Sequence, residues 1–262
     1  MDEIRTTVIV LAAGQGKRMQ SSVHKQYLLI KDKPILYYSL KAFEESVIDD
    51  IVLVVGEGEE DFCQKEILGK YGFCKVRAVV SGGKERYHSV ANGIRSIGWG
   101  CDYIFIHDGA RPFVDGGILE RVYSAVRQCR ACVVGMPVKD TIKIADQKGY
   151  VESTPDRSRL WQVQTPQVFE RQLIAEAYEK LLTEERNLLA AGITITDDAM
   201  VVEHFMHVPV KLVQGSYENI KITTPEDLRT AEIFARDIRH FTRGSVPEKC
   251  LEKKYKKCKK RC

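Results

Sequence analysis

From Thr6 to Val138 the chain alternates short β-branched runs with longer helical stretches. Thr6–Leu11, Ile51–Val55, Val76–Val80, Tyr103–Ile106 and Ala131–Val138 read as strands. Pro34–Ser46, Glu59–Tyr71, Arg86–Ile97 and Ile118–Val126 read as the helices between them; Val90, Ile94 and Ile97, for example, share one helical face. Strands and helices in this rhythm build βαβ units and a mostly parallel sheet with helices on both faces. The first run is apolar without interruption, as a strand covered on both sides must be. Ligands of such sheets bind beyond the carboxyl ends of the strands. The loops after the strands are therefore where chemistry is expected.

The rhythm breaks at Asp140. Thr141–Ala145 alternates apolar and polar residues, Gln147-Lys148-Gly149 reads as a turn, and Tyr150–Thr154 is strand-like again. This predicts a solvent-facing hairpin arm, about residues 139–163 with its flanks. Leu160–Phe169 returns to the body. Arg171–Glu185, Asp197–His204 and Pro225–Arg236 read as helices, and Val210–Val213 and Asn219–Ile222 as short strands.

The formal charge of +4 divides unevenly. Lys249–Cys262 carries +7 and the rest −3, so the basic character belongs to the tail. The expected organisation is a folded domain over 1–239 and a basic, disordered tail over 240–262. A body of this charge gives no reason to expect specific nucleic-acid binding. The tail could tether phosphate surfaces nonspecifically; a solubilising segment is the simpler reading. No apolar run is long enough to span a bilayer. No cationic leader precedes the first strand, so the cytoplasm is the expected compartment. The body cysteines Cys63, Cys74, Cys101, Cys129 and Cys132 then read as buried small hydrophobes. Cys129 and Cys132 form a CxxC, but no second pair accompanies it to make a metal site.

The first strand runs into Leu11-Ala12-Ala13-Gly14-Gln15-Gly16-Lys17-Arg18-Met19, with Lys25 close behind. Small residues let backbone approach a ligand, and successive N–H groups can cradle an anion. The loop is neither a Walker A motif nor a full dinucleotide fingerprint. With its cations it points to a polyphosphate.

This loop and Lys25-Gln26-Tyr27 resemble the signature of sugar-nucleotide pyrophosphorylases and cytidylyltransferases. Gly82-Gly83-Lys84-Glu85-Arg86 with Ser89, His107-Asp108-Gly109-Ala110-Arg111-Pro112 and Asp140–Lys143 follow in order. So do Asp156-Arg157, Thr165-Pro166-Gln167, Thr196–Ala199 and Asn219–Thr223. Together they resemble the 2-C-methyl-D-erythritol 4-phosphate cytidylyltransferase family over about residues 5–238. The resemblance implies a Rossmann-like α/β sheet with a projecting hairpin arm. It implies cytidylyl transfer from CTP to a polyol phosphate, releasing pyrophosphate, in isoprenoid synthesis by the non-mevalonate route. Such transfer needs no Ser, Cys or His nucleophile, because the attacking phosphate is already mostly dianionic at neutral pH. It needs cations and positioning.

By resemblance, Arg18 and Lys25 grip the triphosphate, and Arg157 and Lys221 hold the acceptor's phosphate. Lys17 reads equally as a solvated surface lysine. Ala12, Ala13, Gly14, Gly16, Gly83 and Ser89 would receive the nucleotide. Asp108 would meet the ribose or a magnesium ion. Thr141, Arg111, Thr165 and Thr196 would line the acceptor side. His107 reads as a packed strand-end residue. The arm would interlock with a second subunit, so Thr141 and Arg157 would serve across a homodimer. Three positions depart from the family pattern. Gly109 stands where alanine is common and is expected to loosen the backbone beside Asp108. His24 stands for a common proline, and Lys84 for a common acidic residue near the nucleoside. Ribitol 5-phosphate is the competing acceptor, and a noncatalytic nucleotide-binding regulator the competing class.

Overall fold

The computed structural model describes residues 4–14, 16, 19 and 24–235. Lys17, Arg18 and the basic tail lie outside the described residues. The elements in chain order are β1 (Thr6–Ala12), α1 (Ile35–Glu44), β2 (Asp50–Val55), β3 (Val76–Ser81), α2 (Arg86–Arg95) and β4 (Tyr103–Asp108). There follow α3 (Gly116–Val126), β5 (Ala131–Pro137), β6 (Trp161–Glu170), α4 (Arg171–Ala190), α5 (Asp198–Met206), β7 (Lys211–Gln214) and α6 (Pro225–Phe234).

The strands form one sheet in the order β7–β5–β6–β4–β1–β2–β3. β6 is antiparallel to both β4 and β5, and every other pair is parallel. The two faces of the sheet carry separate cores. Val8 and Val10 pack with Leu36, Leu40 and Phe43 of α1 and Ile118 and Val122 of α3. Ile9, one residue out of phase, packs with Val90 of α2, Leu173 and Ile174 of α4 and Val202 of α5. This is the period-two alternation of a strand buried on both sides. A smaller core joins Met19, Ile30, Ile35, Phe113, Ile222 and Ala231, binding α6 beneath the first loop.

Helix ends follow local chemistry. Asp115 and Asp197 cap α3 and α5 through their carboxylates. Thr224 and Asp227 form a capping box on α6, whose first residue is Pro225. The expected helix Glu59–Tyr71 is a short α-turn, Glu60–Phe62, running into a π-helix, Cys63–Gly69. α4 runs past Glu185 because Leu188 continues its buried face.

Asn219–Ile222 is not a strand, which corrects the expectation from its alternating pattern. The Ile222 N–H bonds to the Ala110 carbonyl, and the Asn219 side chain bonds Gln164 and the Thr165 carbonyl. Loop and side-chain partners thus take the place of a ladder.

In the 139–163 region, Ile144–Ala145 pairs antiparallel with Val151–Ser153. Gly149, at φ 85°, and the Asp146 carboxylate shape its turn. Residues 139–154 are all exposed, with Ile144, Tyr150 and Val151 among them. Cys63, Cys74, Cys101, Cys129 and Cys132 are free thiols; Cys63 and Cys132 are buried and Cys101 and Cys129 half-buried, but Cys74, in the loop before β3, is exposed, which corrects the expectation for it. No described helix is long and apolar enough to cross a membrane.

Candidate active site

After β1 the chain turns to β2 and β3 on one side, whereas β4 continues on the other. The residues after β1, β3 and β4 thus line the carboxyl edge of the sheet, the crevice where ligands of such folds bind. Ala12 ends β1, and Ala13 and Gly14 enter the crevice. A Cβ on Gly82 would lie 2.4 Å from the Ala13 Cβ, so the loops after β1 and β3 touch only because both residues are small. Gly83 is equally tight against the His88 Cβ. Its N–H donates to Ser89 Oγ at 3.0 Å, and the Ser89 hydroxyl donates to the Glu85 carbonyl. Ser89 thus closes the loop expected to receive the nucleotide. Gly16, at φ 63°, lies on the stem of Lys25, where a Cβ would be 3.0 Å from the lysine Cβ.

Asp108 ends β4, nearly buried, amid three cations. Lys221 Nζ lies 2.7 Å from its Oδ2, Arg86 Nε 3.4 Å from Oδ1 and Arg111 Nε 4.0 Å from Oδ2. Burial would raise the Asp108 carboxyl, but Arg86, Lys221 and Arg111 hold it well below the usual carboxylate range. Behind this cluster, Arg86 grips the buried Asp198 with two 2.8 Å bonds, and the Tyr178 hydroxyl donates to Asp198 at 2.5 Å. Gln167 accepts the Asp198 and Ala199 N–H groups and so fixes the start of α5.

Thr165 orients the end of β4. Its Oγ1 accepts the Asp108 N–H and donates to His107 Nδ1, which leaves His107 Nε2–H to donate to the Arg111 carbonyl. Burial lowers His107 to about 4, so it is a neutral, packed strand-end residue. Arg111 Nη1 donates to the Asn219 carbonyl at 2.8 Å, and Lys25 Nζ to the Ile222 carbonyl at 3.4 Å. Arg111 thereby locks the Asp108 loop to the segment carrying Lys221. That segment aims Lys221 through these anchors rather than through strand pairing.

Other expected residues do not converge here. Arg157 and Thr141 sit exposed on the arm, and Arg157 donates to the Lys139 carbonyl. Thr196 is exposed before α5, with its hydroxyl on the Met200 thioether. Gly109 lies close against β1. A Cβ there would lie 3.0 Å from the Leu11 carbonyl and 3.2 Å from Leu36, so a side chain would require these neighbours to shift by a few tenths of an ångström.

The family model for 2-C-methyl-D-erythritol 4-phosphate cytidylyltransferase (IspD) matches residues 6–237. The chain belongs to this family. The Lachnoclostridium phytofermentans 2-C-methyl-D-erythritol 4-phosphate cytidylyltransferase is 52% identical over 237 residues, covering 90% of this chain and 99% of that protein. The Caldanaerobacter subterraneus protein of the same name is 46% identical, covering 89% and 100%. The crystal structure of 4-diphosphocytidyl-2C-methyl-D-erythritol synthase from Anaerococcus prevotii aligns with a TM-score of 0.77 at 34% identity, covering 89% and 96%. This chain is accordingly a nucleotidyltransferase of the cytidylyltransferase type.

For such a cytidylyltransferase the Asp108 donor set bears on the metal. No three His, Cys, Asp or Glu side chains gather as ligands among the described residues. Asp198 is taken by both ends of the Arg86 fork, which leaves Asp108, itself paired with Lys221, as the one carboxylate that would face a metal ion. One carboxylate fits an ion carried on nucleotide phosphates, since Mg²⁺ keeps most of its shell in phosphate and water oxygens. Arg86 and Asp198 stood within recognised motifs without a role assigned. Their pairing across 112 residues leaves no local trace in the sequence.

Proposed function

We propose that this crevice transfers a cytidylyl group from CTP to 2-C-methyl-D-erythritol 4-phosphate. A phosphate oxygen of the acceptor forms a bond to the α-phosphorus, the α–β bridging bond breaks, and pyrophosphate leaves with its electrons. The observation that carries the reading is Asp108 with Lys221, Arg86 and Arg111 at the crevice mouth, in a member of this family. A site handling two phosphorylated reactants must supply fixed positive charge without solvent reorganisation.

Lys25 and Arg18 serve the triphosphate, and Lys221 and Arg157 the acceptor phosphate. Ala12, Ala13, Gly14, Gly16 and Gly83 offer small residues and backbone groups to the nucleotide. Thr141 and Thr196 serve the acceptor side, whereas Thr165 and Arg111 act by positioning Asp108 and Lys221. Asp108 would hold a Mg²⁺ ion bound to CTP, and that ion would supply neutralisation of the triphosphate charge. The domain spans 1–239 with an arm at about 139–163, and the tail over 240–262 stands apart from the chemistry. Exposed Tyr150, Val151 and Ile144 favour a homodimer built through the arm. Five free thiols favour a reducing, cytoplasmic setting.

Pyrophosphate release with Mg²⁺ and CTP tests the reading. Methylerythritol 4-phosphate and ribitol 5-phosphate are offered in parallel, with ATP and UTP as controls. Turnover with CTP and methylerythritol phosphate is the expected result. Turnover only with ribitol phosphate overturns the acceptor, and CTP binding without turnover overturns catalysis.

A further inference from the structure

Lys25 opens a three-residue turn, Lys25–Tyr27, too short to hold itself in place. Its own backbone bonds are Tyr27 N–H to the His24 carbonyl and Leu28 N–H to the Lys25 carbonyl. One carboxylate from another loop ties both of its ends to the body. Glu59 stands just after β2, mostly buried at 17% side-chain exposure. Its Oε2 accepts the Gly56 N–H at 3.0 Å and the Tyr27 hydroxyl at 2.8 Å. Its Oε1 lies 2.5 Å from His24 Nδ1. The residue before Lys25 and the second residue after it thus meet the same carboxylate.

The surroundings are shaped for this contact. A Cβ on Gly56 would lie 2.9 Å from the Glu59 carboxyl carbon and Oε2, so glycine there admits the carboxylate. The Tyr27 hydroxyl can only donate to Glu59, so the Cys63 thiol, 3.0 Å away, donates to the tyrosine oxygen. Burial pushes the Cys63 thiol up to about 11 and raises Tyr27 further, so both protons stay on. The Tyr27 ring packs edge-on against Phe62, with centroids 5.0 Å apart. Proton directions, packing and the Gly56 gap all converge on one arrangement of the turn.

We propose that Glu59 is the positioning residue for Lys25. It fixes the backbone on both sides of the lysine so that the ammonium reaches the triphosphate from one direction. The inference rests on the reading that Lys25 grips the triphosphate. A flexible four-carbon stem delivers its charge well only when its base is fixed, and misplacement of a reacting group by about 1 Å can cost about 10²-fold.

The test is a double-mutant cycle read by pyrophosphate release at limiting CTP, with thermal melting of each variant alongside. Glu59→Ala is expected to lower kcat/KM for CTP by about 10–10²-fold. Glu59→Gln, whose amide oxygen can still accept from Tyr27 and Gly56, should recover part of that loss. In a Lys25→Ala background, Glu59→Ala should cost nothing further. Wild-type kinetics from Glu59→Ala, or an equal additional loss in both backgrounds, overturns the role of Glu59 alone. Wild-type kinetics from Lys25→Ala by itself overturns the reading of Lys25 and this proposal with it. If Glu59→Ala does not fold, Glu59→Gln and Tyr27→Phe carried through the same cycle decide by the same criterion.

Discussion

Lys221 Nζ lies 2.7 Å from Asp108 Oδ2, so the cation assigned to one substrate is the counter-ion of the aspartate assigned to the other. An acceptor phosphate must draw Lys221 from Asp108, which then keeps Arg86 and Arg111 close by. Lys221→Ala should still fold, because those arginines continue to balance the carboxylate. Its kcat/KM for the acceptor should fall by about 10²–10³, the loss seen when a fixed charge stabilising a transition state is removed. Kinetics with each substrate varied in turn checks this, and the loss should be larger toward the acceptor than toward CTP.

Asp198 is fully buried and takes both ends of the Arg86 fork as well as the Tyr178 hydroxyl. Asp198→Ala strands a guanidinium and a phenol together. Breaking one side of a buried ion pair costs about 3–5 kcal/mol, and the lower end applies because Arg86 keeps Asp108 and some access to water. Denaturant unfolding should show that loss. Tyr178→Phe, which removes one donor and leaves the fork intact, should cost about 1–2 kcal/mol.

Burial lowers His107 to about 4, against about 6.5 for an ordinary imidazole. Between those values the unfolded chain binds a proton that the folded chain refuses. The contribution is whole above the unfolded value and is lost as pH falls toward the folded one, up to about 3 kcal/mol. Urea unfolding between about pH 7 and 4.5 should show stability falling on acidification, and His107→Gln should remove part of that slope. The Asp108 carboxyl, held low by its cations against burial, adds its own loss only at more acidic pH.

The parallel strands were legible because burial on both faces forces uninterrupted apolar runs, as in Thr6–Leu11. The small residues at Ala13, Gly82 and Gly83 were legible because the loops they form can approach one another only without side chains. Asn219–Ile222 misled because its alternation reflects Ile220 and Ile222 packing beneath the site, not pairing in a sheet. Glu59, Arg86 and Asp198 were silent. Their significance lies in distances between segments far apart in the chain, and a lone charged residue looks the same whether solvated or bridging. Arg157 and Thr141 were named by motif alone, and in a single chain both are exposed.

Gly109 offers a test of packing against flexibility. A methyl group there would press on the Leu11 carbonyl at 3.0 Å, and on Leu36 and Val10 at 3.2 and 3.3 Å. That oxygen already accepts the Gly109 N–H at 2.9 Å, so it cannot move aside without straining this bond. Gly109→Ala should therefore destabilise by about 1–3 kcal/mol despite stiffening the unfolded chain. For a domain of this size that lowers the melting temperature by roughly 2–12 °C. A rise in melting temperature would favour the loosening expected from sequence.

The arm places Arg157 and Thr141 in solvent within one chain, and its exposed Tyr150 and Val151 call for cover. If the arm completes a partner's crevice, two inactive variants should complement each other. Arg157→Ala spoils the arm and leaves the body intact, whereas Lys25→Ala does the reverse. In a mixed dimer the intact body meets the intact arm at one site, and the other site carries both lesions. Random reassortment of equal amounts makes half the dimers mixed, so about a quarter of wild-type activity should return. Measuring pyrophosphate release before and after exchange of subunits reads this directly. Activity that stays at the level of the separate variants would mean that Arg157 serves its own chain or none.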